Sequence, residues 1–87
     1  MYQVLYSPQS EKFIVKQDRK TQLKIVSKLE HLATNPHAPN PNVTKMQGLA
    51  NGYRLRIGDI RCIYKLDAEH QKIVVWKINF RGEIYKP

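Results

Sequence analysis

Between Gly52 and Leu66 the chain reads Gly-Tyr-Arg-Leu-Arg-Ile-Gly-Asp-Ile-Arg-Cys-Ile-Tyr-Lys-Leu. Apolar and polar residues alternate on both sides of Gly58-Asp59, and a two-residue break between alternating runs is the signature of a β-hairpin. The break sets the register. Ile57 faces Ile60, Arg56 faces Arg61, Leu55 faces Cys62, Arg54 faces Ile63 and Tyr53 faces Tyr64. One face then carries Tyr53, Leu55, Ile57, Ile60, Cys62, Tyr64 and Leu66, and is a core face. The opposite face carries Arg54, Arg56, Arg61 and Lys65. Two arginines directly across a ladder repel and weaken it, so a sheet that keeps such a pair is suited to an anion, a phosphate or a partner's carboxylate. The plainer reading is a solvated outer face with long basic side chains extended into water.

The segments before the hairpin read as helical. Tyr2 to Tyr6 is β-rich and makes a short strand. Ser7-Pro8 is a helix start, a serine cap followed by proline at the first helical position, and the helix runs to about Lys16. Asp18 caps a second helix from Arg19 to about Thr34, in which Leu23, Val26, Leu29 and Leu32 or Ala33 form the expected buried stripe. Asn35-Pro36 ends it, because the residue before proline is pushed out of the helical region. Lys20, Lys24 and Lys28 line up on one face of this helix, either as a solvated row or as contacts to a nucleic-acid backbone. Residues 35–45 read as a proline-stiffened loop, with a short extended piece at Met46 to Leu49. After the hairpin, Asp67 to Lys72 is a second reversal and Ile73 to Phe80 a third strand of the meander, with Trp76 expected in the core.

The fold class is therefore α+β, an antiparallel meander packed against a helical hairpin in a single domain spanning residues 1–87. Its 87 residues are near the low end for an independently stable core. Fifteen Lys+Arg against seven Asp+Glu leave a net charge of +8, which suggests a polyanionic partner, nucleic acid first. The single cysteine, Cys62, excludes a disulfide framework. No apolar run reaches membrane-span length and the N-terminus lacks signal-peptide character, so a cytoplasmic protein with no membrane partner is expected.

Several chemistries lack their residues. His31, His37 and His70 share neither a helix nor a cysteine pair, so no metal site is expected. Gly48, Gly52, Gly58 and Gly82 are scattered and form no phosphate-binding loop, and no cofactor is implied. An enzyme built from this chain would work with arginines and tyrosines.

The run Gly52 to Tyr64, then Ile-Val-Val-Trp-Lys-Ile and Arg-Gly-Glu-Ile-Tyr, strongly resembles the RelE/ParE toxin superfamily. The resemblance implies a β-α-α-β-β-β fold over the whole chain. It also implies a toxin neutralised by a cognate antitoxin, with an acidic or amphipathic segment the expected contact. RelE-branch members cleave mRNA, often in the ribosomal A site, whereas ParE-branch members poison DNA gyrase. Onto the RelE branch's basic residues and terminal tyrosine map Arg54 and Arg56, Arg61, Arg81 and Tyr85. The chain departs from many relatives at Phe80, where His or Lys commonly stands, and at Gly82, where a basic residue is frequent. It also ends without the C-terminal helix of some members. Phe80 and Gly82 thin the cationic site, and a basic binding module with a degenerate site is the third reading beside the nuclease and the gyrase inhibitor.

The nuclease reading gives each residue a task. Attack of a 2′-hydroxyl on the adjacent phosphate needs a base, cations for the transition state and an acid for the departing oxygen. Guanidinium forks match phosphate oxygens, which makes Arg61 and Arg81 the candidates for transition-state stabilisation. Arg54 and Arg56 then hold flanking phosphates or assist the leaving group. Tyr85 is the candidate base, in a cationic setting that favours a phenolate, with its phenol expected beside Arg61 and Arg81.

Overall fold

The computed structural model describes residues 1–86. Its elements are β1 (Gln3–Tyr6), α1 (Pro8–Val15), α2 (Arg19–Thr34), β2 (Val43–Lys45), β3 (Gly52–Ile57), β4 (Ile60–Asp67) and β5 (Lys72–Phe80). The strands form one sheet in the order β1-β5-β4-β3-β2. β1 runs parallel to β5 and the other neighbours are antiparallel. Among the described residues no helix is long and apolar enough to cross a membrane.

The caps form as the sequence dictates. Ser7 accepts the Ser10 N–H at 3.1 Å and Asp18 accepts the Thr21 N–H at 2.8 Å, each satisfying an orphan donor of the first turn. The β3–β4 register matches the expectation pair for pair, Ile57↔Ile60 through Tyr53↔Tyr64. Gly58, at φ 58°, supplies the left-handed residue of the two-residue turn. Both helices pack on one face of the sheet. Phe13, Ile25, Leu29 and Leu32 meet Leu55, Cys62, Tyr64, Ile73, Val75 and Ile78 in one continuous core.

Five expectations are corrected. The sheet gains a fifth strand, because Val43–Lys45 pairs with β3 as Val43↔Leu55, Thr44↔Arg54 and Lys45↔Tyr53. It lies in the proline-rich stretch read as loop. The piece expected to be extended, Met46 to Leu49, instead turns the chain, with Gly48 at φ 78° and Asn51 at φ 56°. A side chain at Gly52 would meet Leu49 at 2.5 Å, so this return needs glycine.

The α2 stripe is rotated from the expected phase. Ile25, Leu29, Leu32 and Ala33 are buried, while Leu23 and Val26 are exposed. Apolar residues cover too wide an arc of this helix for periodicity alone to choose the phase, and contact with the sheet chooses it.

Trp76 is not in the core; it is 45% exposed. Val75 pairs with Tyr64 and Lys77 with Ile63, so the ladder skips Trp76 at a β-bulge.

The fifth correction concerns the tail after β5, which folds back over the outer face of the sheet. Lys77 Nζ donates to the Lys86 carbonyl at 2.8 Å, and Arg54 Nη1 donates to the Tyr85 hydroxyl at 2.5 Å. Arg54, Ile63 and Lys77 form one row across β3, β4 and β5, and the tail that carries Ile84 is anchored at the two ends of this row. Both isoleucines are buried, yet neither belongs to the main core. Tyr85 is thereby held by Arg54, one row away from the place beside Arg61 and Arg81 expected for it.

Candidate nucleic-acid interface

The outer face of the hairpin is arranged in rows. Arg56 and Arg61 are direct cross-strand partners, and Arg61 is paired in turn with Asn79. Arg81 follows β5, and its backbone N–H donates to the Asp59 carbonyl at 2.8 Å. That bond ties the start of the tail to the hairpin turn and carries the Arg81 side chain to the same place. On the other side, α2 brings Lys24 and Lys28 in from across the turn. A Cβ built on Gly58 would lie 3.5 Å from Lys24 Nζ.

The result is an open groove of about 500 Å³ lined by Lys24, Lys28, Arg56, Arg61 and Arg81, together with Asn42 and Asp59. A smaller concavity bounded by Arg54, Arg56, Arg61, Asn42 and Thr44 continues it toward Tyr85. Of the residues the sequence singles out, the structure brings these two lysines and the three arginines to one groove. Arg54 and Tyr85 stand at its end. Lys20, on the same helical row, is exposed and is not among the lining residues.

The guanidinium groups are positioned by neutral acceptors. Arg61 Nη1 donates to the carbonyls of Gly58 at 2.6 Å and Ile60 at 3.0 Å. Arg56 donates through Nε at 3.2 Å and Nη2 at 2.9 Å to Asn42 Oδ1. Among the described residues the salt bridges are His70–Asp67 and Lys86–Glu83, so no arginine there is ion-paired. Two guanidiniums of the groove are therefore oriented and, among the described residues, without an ion-pair partner, with Asp59 the one carboxylate on its lining. Such an arrangement is primed for an anion with several oxygens, since guanidinium donors bind phosphate in forked geometry.

Two residues of this site escaped the sequence reading. Asn42 fixes Arg56, and its only signal is an amide-bearing residue beside Pro41 in a stretch that turns out to be strand-flanking. Asp59 was absorbed into the turn, where its type is ordinary. Phe80, a departure from the basic residue common in relatives, packs edge-on against Phe13 with ring centroids 5.3 Å apart.

Other groups are chemically quiet. Burial pushes the Cys62 thiol up to about 12, which suppresses the thiolate needed for nucleophilic chemistry. Burial, reinforced by Glu30 and Cys62, pushes the Tyr6 phenol up to about 12. Among the described residues no three His, Cys, Asp or Glu side chains come together as a metal-binding group. A larger open concavity of about 730 Å³ follows the Lys45–Asn51 connection. Lys45 is its one charged residue, and it reflects the shape of that turn more than any chemistry.

The fold and the match to a family model together define a toxin of the RelE/ParE superfamily. Residues 4–85 match the family model of the ParE toxin of type II toxin-antitoxin system, parDE, and the chain belongs to that family. No curated protein sequence matches it.

Solved structures agree on the fold. The chain is similar to a chain of the archaeal RelE-RelB complex from Pyrococcus horikoshii OT3, with a TM-score of 0.80 and 25% identity over 94% of this chain and 97% of that one. It is also similar to a chain of the intact E. coli RelBE toxin-antitoxin complex, with a TM-score of 0.75 and 20% identity over 92% and 96%. The YoeB/ParE toxin from Agrobacterium tumefaciens gives a TM-score of 0.74 and 19% identity over 90% and 96%.

Proposed function

We propose that this toxin is a metal-independent endoribonuclease that cleaves mRNA in the cytoplasm, on the ribosome, and is restrained by a cognate antitoxin. The observation that carries the reading is the convergence of Arg56, Arg61, Arg81, Lys24 and Lys28 on one groove, with no ion-pair partner for any of these arginines among the described residues. A phosphodiester is the ligand such a groove suits, and RNA brings its own nucleophile to it.

The proposed reaction balances within the RNA. The 2′-hydroxyl oxygen forms a bond to the adjacent phosphorus as the bond from phosphorus to the 5′-oxygen breaks. The products are a 2′,3′-cyclic phosphate and a 5′-hydroxyl, and no water, metal or cofactor is consumed. Arg61, whose guanidinium is held by two backbone carbonyls, and Arg81, whose backbone is tied to the hairpin turn, stabilise the charge on the non-bridging oxygens. Pre-positioning matters because donors that do not reorganise during the reaction contribute most to its rate.

Arg56 and Arg54 hold the flanking phosphates, with Lys24 and Lys28 on the far wall. Lys20 extends the same helical row for more distant backbone contacts. Tyr85, whose oxygen already accepts from Arg54, takes the 2′-proton, and the departing 5′-oxygen takes up a proton from solvent to leave as the 5′-hydroxyl; the Tyr85 ring can also stack on a base.

The antitoxin assignment follows the family and the RelE-RelB and RelBE complexes among its structural neighbours. A net charge of +8 suits an acidic or amphipathic antitoxin segment. A second reading, inhibition of DNA gyrase, is favoured by the match to the ParE family model. The two separate in one experiment: tight induction of the chain, mapping of cellular RNA 5′ ends, and a gyrase supercoiling assay on the purified protein. New RNA ends that vanish in Arg61→Ala, with supercoiling intact, support the nuclease. Blocked supercoiling with unaltered RNA ends would replace it with the gyrase reading.

A further inference from the structure

Trp76 is the single tryptophan of the chain, and the fold holds it out of the core by a specific device. Ile73 and Val75 are buried on the core face, and Ile78 resumes that face beyond the bulge. Trp76 is the extra residue between them, and a bulge is the feature that re-aims one side chain without shifting the rest of a strand. The bulge is held from outside the sheet. Ser7 Oγ donates to the Trp76 carbonyl at 2.5 Å, and Ser10 Oγ donates to the Val75 carbonyl at 3.3 Å. The N-terminal cap of α1 is therefore also the clamp on this bulge.

The indole meets a cation. Lys65 Nζ lies 4.7 Å from its ring centroid. Lys65 shares the outer face with Arg61 and Ile63 on β4, which places Trp76 on the same side of the sheet as the arginine groove. Four residues of strand separate Lys65 from Arg61, about 13 Å at ordinary strand rise. Between them lies the row of Arg54, Ile63 and Lys77 with Tyr85 above Arg54. From the turn outward, the face thus presents paired guanidiniums, then an exposed phenol, then an exposed indole with its own cation.

Cations that follow a backbone, interleaved with aromatic faces that take bases, are how single-stranded nucleic acid is held without sequence preference. We infer that Trp76 and Lys65 form a nucleobase-stacking subsite for single-stranded RNA at the end of the outer face remote from the arginine groove. The indole takes a base and Lys65 moves from the ring to the neighbouring phosphate. The inference rests on the RNA reading above and extends it to a second contact point, which sets how much RNA flanking the cleaved bond the toxin engages.

Because the chain has one tryptophan, its emission reports on this residue alone. The test uses the full chain and an end-labelled, fully 2′-O-methylated oligonucleotide, which cannot be cleaved. Binding is followed by anisotropy of the label and, in parallel, by indole emission excited where tyrosine does not absorb. Quenching along the same isotherm as anisotropy is expected. Trp76→Leu should weaken binding by about ten-fold or more, the loss typical of one base–aromatic stack, with Trp76→Phe recovering most of it. Binding with unchanged emission and full affinity in Trp76→Leu would overturn the subsite, assign the indole to protein contact and leave the RNA reading standing. Absence of any anisotropy change would also overturn the subsite, whereas the RNA reading, which concerns mRNA on the ribosome, stands or falls with the mapped RNA ends.

Discussion

Arg61 offers the sharpest separation of function from structure, because its removal should damage activity far more than stability. In Arg61→Ala the groove loses a guanidinium held by the Gly58 and Ile60 carbonyls. Removing one preorganised donor to a developing anion costs about 10²- to 10³-fold in rate, or roughly 3–4 kcal/mol of transition-state stabilisation. On the stability side, two partly solvated hydrogen bonds disappear, each worth about 1 kcal/mol at most in net terms. Against that, the direct repulsion between Arg56 and Arg61 across the ladder is relieved, a gain of up to about 1 kcal/mol. The gain offsets about half of the loss and leaves a net cost of about 1 kcal/mol, so the melting temperature should fall by no more than about 8 °C. The assay is single-turnover cleavage of a short mRNA on programmed ribosomes, paired with thermal melts at low and high salt. Salt should stabilise the parent more than the variant, since it screens a repulsion the variant lacks. A rate within about three-fold of the parent would refute the transition-state role. A large fall in melting temperature would show instead that Arg61 serves the fold.

Tyr85→Phe keeps the ring beside Arg54 and removes the oxygen that accepts its hydrogen bond; fold and RNA affinity should persist while single-turnover cleavage largely disappears, and cleavage at the parental rate would rule Tyr85 out as the base. Replacing Arg54 and Arg56 together by alanine should flatten the salt dependence of RNA binding, by about 1.4 in the log–log slope if each meets one phosphate of a single strand. An unchanged slope would mean that both merely face solvent. Alkaline pH should destabilise the fold. The folded-state values of Cys62 and Tyr6 are both raised to about 12 from ordinary values of 9.0 and 10.0. The unfolded chain therefore releases these protons first, and stability falls as pH rises through that window. Equilibrium denaturation from pH 8 upward checks the sign, and Cys62→Ala should weaken the early part of the loss.

The hairpin was legible because its signals are local and agree with one another: strict alternation, a Gly58-Asp59 turn and paired lengths on either side. The caps at Ser7 and Asp18 were legible for the same reason. What the sequence left open is set by tertiary partners. Val43–Lys45 is too short and too close to proline to read as a strand, and becomes one by pairing with β3. Leu23 and Val26 read as core as well as Ile25 does, until the sheet selects the helix phase. Trp76 is apolar in an apolar strand, and the bulge that turns it outward depends on Ser7, 69 residues away. The guanidiniums of the site were found from the hairpin and the family likeness. Asn42 was not, because its role is to hold Arg56 from a neighbouring strand end.

Everything proposed for the groove around Arg61 and Arg81 depends on RNA cleavage by internal attack of the 2′-oxygen. The most direct measurement is the chemistry of the ends left after purified toxin acts on mRNA bound to programmed ribosomes. The fragments should begin with a 5′-hydroxyl and end in a 2′,3′-cyclic phosphate, and should be absent in Arg81→Ala. Intact mRNA at toxin concentrations that block gyrase supercoiling would contradict it, and so would fragments carrying a 5′-phosphate.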